Sequence, residues 1–234
     1  MRFKPDAYSI EQALDNGDIH FDYQPIVNFA DYKLQGYEAL VRWEGLTTMQ
    51  VVDAIESNGL VAVWLKAQVK EITQALKQLP DDLFIAFNLG QDALIEPVLI
   101  HELETFPYPE RLHLEILETV SLNLGTAEVL DHINAKITIK ADDIGIEFPW
   151  LDRLVGVYAK HFDGLKLCES LTRHLLTESD CRTATKHIIA MARDKGLSTT
   201  AEWVHDPDQA QMLKAFGCES GQGELFGLGG PLST

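Results

Sequence analysis

Residues 21 to 43 read FDYQPIVNFADYKLQGYEALVRW, and the rest of the chain is best read outward from them. Two runs of strand character flank Phe29-Ala30-Asp31, a turn signal. The first holds Phe21, Tyr23, Ile26 and Val27, and the second ends in Tyr37-Glu38-Ala39-Leu40-Val41-Arg42-Trp43. On a strand, Glu38, Leu40 and Arg42 share one face, and Tyr37, Ala39, Val41 and Trp43 the other. A carboxylate and a guanidinium on one face near a strand end can hold a metal and an anion side by side. The same pair can also be a plain ion pair on a sheet.

Upstream, Ser9 to Asn16 reads as a short helix capped by Ser9 and stopped by Gly17. Downstream, Thr47 to Asn58 reads as a helix with Met49, Val52 and Ile55 spaced for burial. Leu60 to Leu79 reads as a longer one with Val61, Leu65, Val69, Ile72 and Leu76 on one stripe, ended by Pro80. Strands and helices then alternate. Strands are expected at Leu83 to Leu89, Arg111 to Leu117, Ile137 to Asp143, Gly164 to Leu167 and Leu197 to Val204, with a last segment at Glu219 to Phe226. Helices are expected at Asp92 to Phe106 (running through Pro97), Thr126 to Asn134, Trp150 to Lys160, Ser179 to Lys195 and Pro207 to Phe216. Repeated strand-then-helix units of this length predict an α/β fold, a parallel barrel of the TIM type. A doubly wound sheet is the runner-up, but no glycine fingerprint follows an early strand. Residues 1–234 read as one barrel domain, with 1–17 as a helical extension.

Composition narrows the function. The chain has 234 residues, 46% of them hydrophobic, enough for a sizeable core. There is no run of about 18 apolar residues and no signal-peptide centre at the N-terminus, so no membrane association is expected. Cys168, Cys181 and Cys218 are far apart and form no CxxC, which fits a reduced cytoplasm. A net charge of −17 repels polyanions, so general nucleic-acid binding is not expected. An anionic substrate would then need local cations, which clustered carboxylates can supply by holding divalent metals.

Glu38, Asn88, Glu115, Asp142, Asp143, Lys166, Glu202 and Gln222 all fall at or near the carboxyl ends of apolar strands. In a barrel those ends converge on one face, where active sites are built. Each residue alone has an ordinary alternative, such as a helix cap at Asp142-Asp143 or a structural counter-charge at Lys166. Together, however, the converging carboxylates need something positive between them. Oxygen donors without Cys or His point to a hard cation, Mg²⁺ or Mn²⁺. Two adjacent acids could serve a pair of metals about 4 Å apart, a common arrangement for splitting phosphodiesters. Lys166 could stabilise a nucleophilic water or the phosphate.

Glu38-Ala39-Leu40, preceded by Tyr23-Gln24-Pro25-Ile26-Val27, resembles the signature of the EAL domain family. Phe87-Asn88-Leu89 resembles its asparagine motif, and Leu114-Glu115-Ile116-Leu117-Glu118 its ExxE motif. Asp142-Asp143-Ile144-Gly145 resembles the DDFG start of its sixth loop, and Asp163-Gly164-Leu165-Lys166 its DxxK segment. Ala201-Glu202-Trp203-Val204 resembles its AEGVE motif, and Gln222-Gly223 its closing QG. The likeness runs from about Asp18 to Pro231 in the family's motif order.

That resemblance implies a (β/α)8 barrel whose first strand is antiparallel to the others, and a bacterial phosphodiesterase hydrolysing cyclic di-GMP to pGpG. By family role Glu38, Asn88, Glu115 and Asp142 would ligate a first Mg²⁺ or Mn²⁺, and Asp142 and Asp143 a second. Lys166 and Glu202 would position or activate the attacking water. Gln24, Arg42 and Gln222 would contact substrate, and Glu118 would brace the sixth loop. Ca²⁺, larger and looser in geometry, would inhibit. A homodimer is implied, and with no sensor sequence beside the barrel a regulatory protein partner or a longer chain is expected.

The sixth loop departs from the pattern. The family continues DDFG with T/A-G-Y/F-S-S, whereas this chain continues Ile146-Glu147-Phe148-Pro149-Trp150. Glu147 replaces a glycine, and Pro149 stiffens the backbone and removes a donor. In the family this loop couples dimerisation to the second metal, so the departure predicts weakened or rewired activation. Milder departures are His205 for the second acid of AEGVE, Cys168 two residues after the lysine, Glu224 for the aromatic after QG, and a shortened segment after Trp43. The competing reading is a degenerate EAL domain acting as a cyclic di-GMP receptor or protein-contact module. A hydrolase of another phosphodiester is the remaining one.

Overall fold

The structure is a computed structural model that describes residues 5–133, 135–145 and 151–232. Eight strands close into a barrel in sequence order. They are β1 (Ile19–Asn28), β2 (Leu34–Trp43), β3 (Phe84–Leu89), β4 (Leu112–Ile116), β5 (Thr138–Ile144), β6 (Gly164–Leu167), β7 (Ser198–Ala201) and β8 (Ser220–Gly221). β1 is antiparallel to both its neighbours, β2 and β8, and every other adjacent pair is parallel. The expected α/β barrel with a reversed first strand is the observed one.

The described helices are α1 (Ala7–Asn16), α2 (Thr48–Ser57), α3 (Val61–Gln78), α4 (Gln91–Ile95), α5 (Pro97–Glu104), α6 (Leu124–His132), α7 (Leu151–Leu154), α8 (Glu169–Thr172), α9 (Ser179–Asp194) and α10 (Pro207–Phe216). No described helix is long and apolar enough to cross a membrane. The stripe predicted for α3 is buried and joins the same core cluster as Ile85, Phe87 and Leu89 of β3. This is the ordinary packing of an amphipathic helix on a barrel strand.

Several local expectations need correction. Asp6, not Ser9, caps α1, accepting from the Ser9 amide at 2.9 Å. α2 buries Val51, Ala54 and Ile55, while Met49 stands in solvent. Its cap is Thr47, in a reciprocal box with Gln50. The helix expected across Pro97 breaks into α4 and α5, with Pro97 taking the first-turn position where its missing N–H costs nothing. The helix expected over residues 150–160 is four residues of α7 and a later 3-10 turn, Ala159–His161. The sixth-loop departures at Glu147, Pro149 and Trp150 lie outside the described residues.

β5 carries the irregularity that matters most. Its pairing with β6 slips between Ala141, opposite Leu165, and Ile144, opposite Leu167. Asp142 and Asp143 therefore both face the single residue Lys166. This is a bulge, which turns one side chain out of strand alternation. Asp143 adopts φ 51°, a left-handed value that Asp tolerates better than most residues.

The barrel is sealed at the β7–β8–β1 seam by backbone. The Val204 amide donates to the Gln222 carbonyl at 3.0 Å, and the Val204 carbonyl accepts from the Leu225 amide at 3.0 Å. Between these bonds sits Gly223, at φ 147°, where a Cβ would collide with the Val204 amide nitrogen and carbonyl. Gly223→Ala is therefore expected to cost about 1–3 kcal/mol in urea unfolding. An unchanged midpoint would contradict this account of the seam.

Candidate active site

The carboxyl ends of the parallel strands bring their polar residues to one buried point. Lys166 of β6 has no exposed surface. Its Nζ lies 2.7 Å from Glu202 Oε1, 2.8 Å from Glu115 Oε2, 3.1 Å from Asp142 Oδ1 and 3.2 Å from Glu38 Oε2. Glu38 also accepts from Asn88 Nδ2 at 2.7 Å and from Gln222 Nε2, which in turn approaches Gln24 at 3.4 Å. Seven residues from β2, β3, β4, β5, β6, the end of β7 and the segment after β8 thus form one network, with Gln24 of β1 at its edge.

The charges set one another. Burial opposes the Lys166 charge, but Asp142, Glu115, Glu202 and Glu38 outweigh it and raise the ammonium well above its usual value. Burial likewise works to raise Glu38, but Lys166 and the bonds from Gln222 and Asn88 hold this carboxyl below its ordinary range. At Glu115 burial dominates over Lys166, and the carboxyl stays raised. Burial pushes Glu202 up to about 8. Asp143, whose residue surface faces solvent, is pushed up to about 6 by partial desolvation and then by Asp142 and Glu118.

The donors suit a hard cation. Asn88 Oδ1, Glu115 Oε1 and Gln222 Oε1 are buried with no hydrogen-bond partner, and Asp142 Oδ1 meets Lys166 by proximity alone, out of hydrogen-bond alignment. Such orphaned oxygens are rare in a folded interior and mark a missing donor or ion. Among the described residues no three acids or histidines stand as a ready metal cage. The acids converge on the ammonium instead, so a metal would be held by the oxygens left without a hydrogen-bond partner, Asn88 Oδ1, Glu115 Oε1 and Asp142 Oδ1.

A cavity of about 360 Å³ opens beside the network, lined by Gln24, Glu38, Glu202 and Gln222 and by Leu40, Trp203, His205 and Leu228 among others. Arg42 does not line it. Its Nε is bound to Asp22 Oδ2 at 2.9 Å, and its Nη1 reaches Thr48 Oγ1 at 3.1 Å. Glu118 is half-buried beside Asp143, and its carbonyl accepts from Arg153 at 3.1 Å.

Two basic residues inside the barrel were not anticipated. Lys140 is buried, donates to Thr200 Oγ1 at 2.9 Å, and is pulled below its usual range by burial, with Glu115 opposing. His113 stacks on Phe84 with ring centroids 3.7 Å apart. The signal was present: Lys140 and Asp142 alternate with Ile139 and Ala141, and His113 with Leu112 and Leu114, so each shares its strand face with a site acid.

A family profile described as "EAL domain" matches residues 7–228. The chain belongs to the EAL domain family. It is 30% identical to the uncharacterized protein Rv1357c of Mycobacterium tuberculosis, over 93% of this chain and 77% of that protein. It is 27% identical to the cyclic di-GMP phosphodiesterase RocR of Pseudomonas aeruginosa, over 95% of this chain and 60% of that one. Among solved structures, the PaMucR phosphodiesterase in complex with c-di-GMP superposes with a TM-score of 0.83, at 26% identity and 96% coverage of each chain. The network at the mouth of this EAL barrel is therefore the candidate active site.

Glu202 has a consequence for stability without divalent metal. Its carboxyl titrates near 8 in the folded protein against an ordinary 4.5, so the folded state holds a proton the unfolded chain has released. Its contribution is complete below about 4.5 and is lost as pH rises towards 8, with a slope of at most about 1.4 kcal/mol per pH unit. In chelator, Glu202→Gln should flatten the pH dependence of urea stability across that window. An unaltered slope would show that Glu202 does not titrate there.

Proposed function

We propose that this EAL domain is a metal-dependent phosphodiesterase that hydrolyses cyclic di-GMP to linear pGpG. The observation that carries this is the convergence of Glu38, Glu115, Asp142 and Glu202 on one buried lysine, with Asn88 bound to Glu38, beside a cavity of about 360 Å³ at the carboxyl ends of the strands. The c-di-GMP complex of its MucR relative supports the choice of substrate. Glu38, Asn88, Glu115 and Asp142 would hold a first Mg²⁺ or Mn²⁺, and Asp142 and Asp143 a second. When bound, the metals lower the pKa of water and neutralise the charge that develops on phosphate.

This chain's own residues do the rest. Gln24 and Gln222 line the cavity and orient the dinucleotide; Arg42 joins them once it exchanges Asp22 for a phosphate. Lys166 holds the acids in place and faces the developing phosphorane charge. Glu202 lines the cavity beside Lys166 and, in its charged form, is placed to take a proton from the attacking water. The water oxygen bonds to phosphorus, the bond from phosphorus to the 3′ oxygen breaks, and a proton goes to that oxygen. Glu118 supports the segment after β5 from beside Asp143. A cytoplasmic homodimer under the control of a protein partner completes the proposal.

The test is chromatography of cyclic di-GMP after incubation with Mg²⁺ or Mn²⁺, against EDTA, Ca²⁺ and Glu38→Ala controls. pGpG is expected only with Mg²⁺ or Mn²⁺ and intact Glu38, with losses of about 100-fold or more in the controls. Binding without product would make the chain a receptor and overturn the proposal.

A further inference from the structure

Trp203 follows Glu202 directly, yet the chemistry above gives it no role. It has φ 55°, a left-handed conformation that bulky residues rarely adopt. The residues around it are pinned: the Glu202 amide donates to the Leu167 carbonyl at 3.2 Å, and Val204 is fully buried in the β7–β8–β1 seam. The strained turn therefore holds a large indole out of the core, 46% exposed, on the wall of the active-site cavity. Non-glycine residues in such conformations cluster at functional sites, where the strain is retained for a purpose.

The indole is also held in place. The Arg173 guanidinium carbon lies over the ring, 4.9 Å from its centroid, and Arg173 is itself tied to Glu169 at 2.7 Å. Arg173 limits the freedom of an exposed aromatic that would otherwise lose entropy on binding a ligand. A surface cation–π pair alone does not account for the left-handed backbone, since Arg could stack on an indole presented from an ordinary conformation.

We propose that Trp203 is a stacking platform for one of the two purine bases of the cyclic dinucleotide. The inference rests on the function proposed above and extends it to base recognition. An indole face and a purine ring stack without regard to hydrogen-bond pattern. The platform would therefore supply affinity and place the base, while Gln24 and Gln222 fix the sugar-phosphate ring near Glu202 and Lys166.

The test compares Trp203→Gly and Trp203→Phe with the unmodified chain. KM and kcat are read with Mn²⁺, and the Kd for cyclic di-GMP with Ca²⁺ in its place. Glycine accepts φ 55° freely, so the first variant should melt no lower than the parent. It should raise both KM and Kd about tenfold and reduce kcat far less, while phenylalanine retains most of the affinity. Unchanged KM and Kd in Trp203→Gly would overturn the platform and leave the phosphodiesterase standing. Tighter binding in that variant would mean that the indole obstructs the cavity, which also overturns it. If the unmodified chain does not bind cyclic di-GMP, both the function and the platform fail.

Discussion

One ammonium holds this site together. Lys166 sits without solvent between four carboxylates drawn from β2, β4, β5 and the end of β7, at 2.7 to 3.2 Å from each. Acids this close would repel strongly in a buried setting, and a buried lysine alone would lose its proton. Each side makes the other tenable. Burial still holds Glu115 and Glu202 above their ordinary range, while Glu38 is held low. The orphaned oxygens are what a divalent cation would engage, and its charge would favour the ionised carboxylates.

The barrel is built to deliver this arrangement. Parallel pairing sets Asn88 opposite Glu115 across β3 and β4, and the antiparallel first strand sets Gln24 opposite Glu38. The bulge in β5 brings two aspartates to the level of one lysine, something a regular strand cannot do, because alternation would send one of them to the helix side. The seam at Val204 then fixes Gln222, whose amide completes the shell of Glu38.

Much of this could be read in the sequence because strand ends leave a simple trace: an apolar run closing on a polar residue. Lys166, Glu115 and Asn88 were found that way. Lys140 and His113 were legible by the same alternation but hidden within runs that looked apolar overall. Arg42 illustrates the limit. Its capture by Asp22 depends on the register of the β1–β2 hairpin, which sets Asp22 opposite Leu40 and diagonal to Arg42. Sequence spacing does not state a register. Met49 fails for a related reason: Met49-Val52-Ile55 and Val51-Ala54-Ile55 are both plausible helix faces, and packing chose the second. Pro97 could be placed inside one helix or at the start of another, and only the closing of α4 decides between them.

If Lys166 and a divalent metal are alternative counter-charges for one set of acids, each should make up in part for loss of the other. The urea stability of Lys166→Met in chelator and in millimolar Mn²⁺ tests this. Removing the ammonium should cost about 3–5 kcal/mol in chelator, because it strands buried carboxylates. Mn²⁺ should then stabilise the variant more than the unmodified chain. A variant as stable as its parent in chelator, or indifferent to Mn²⁺, would contradict the account.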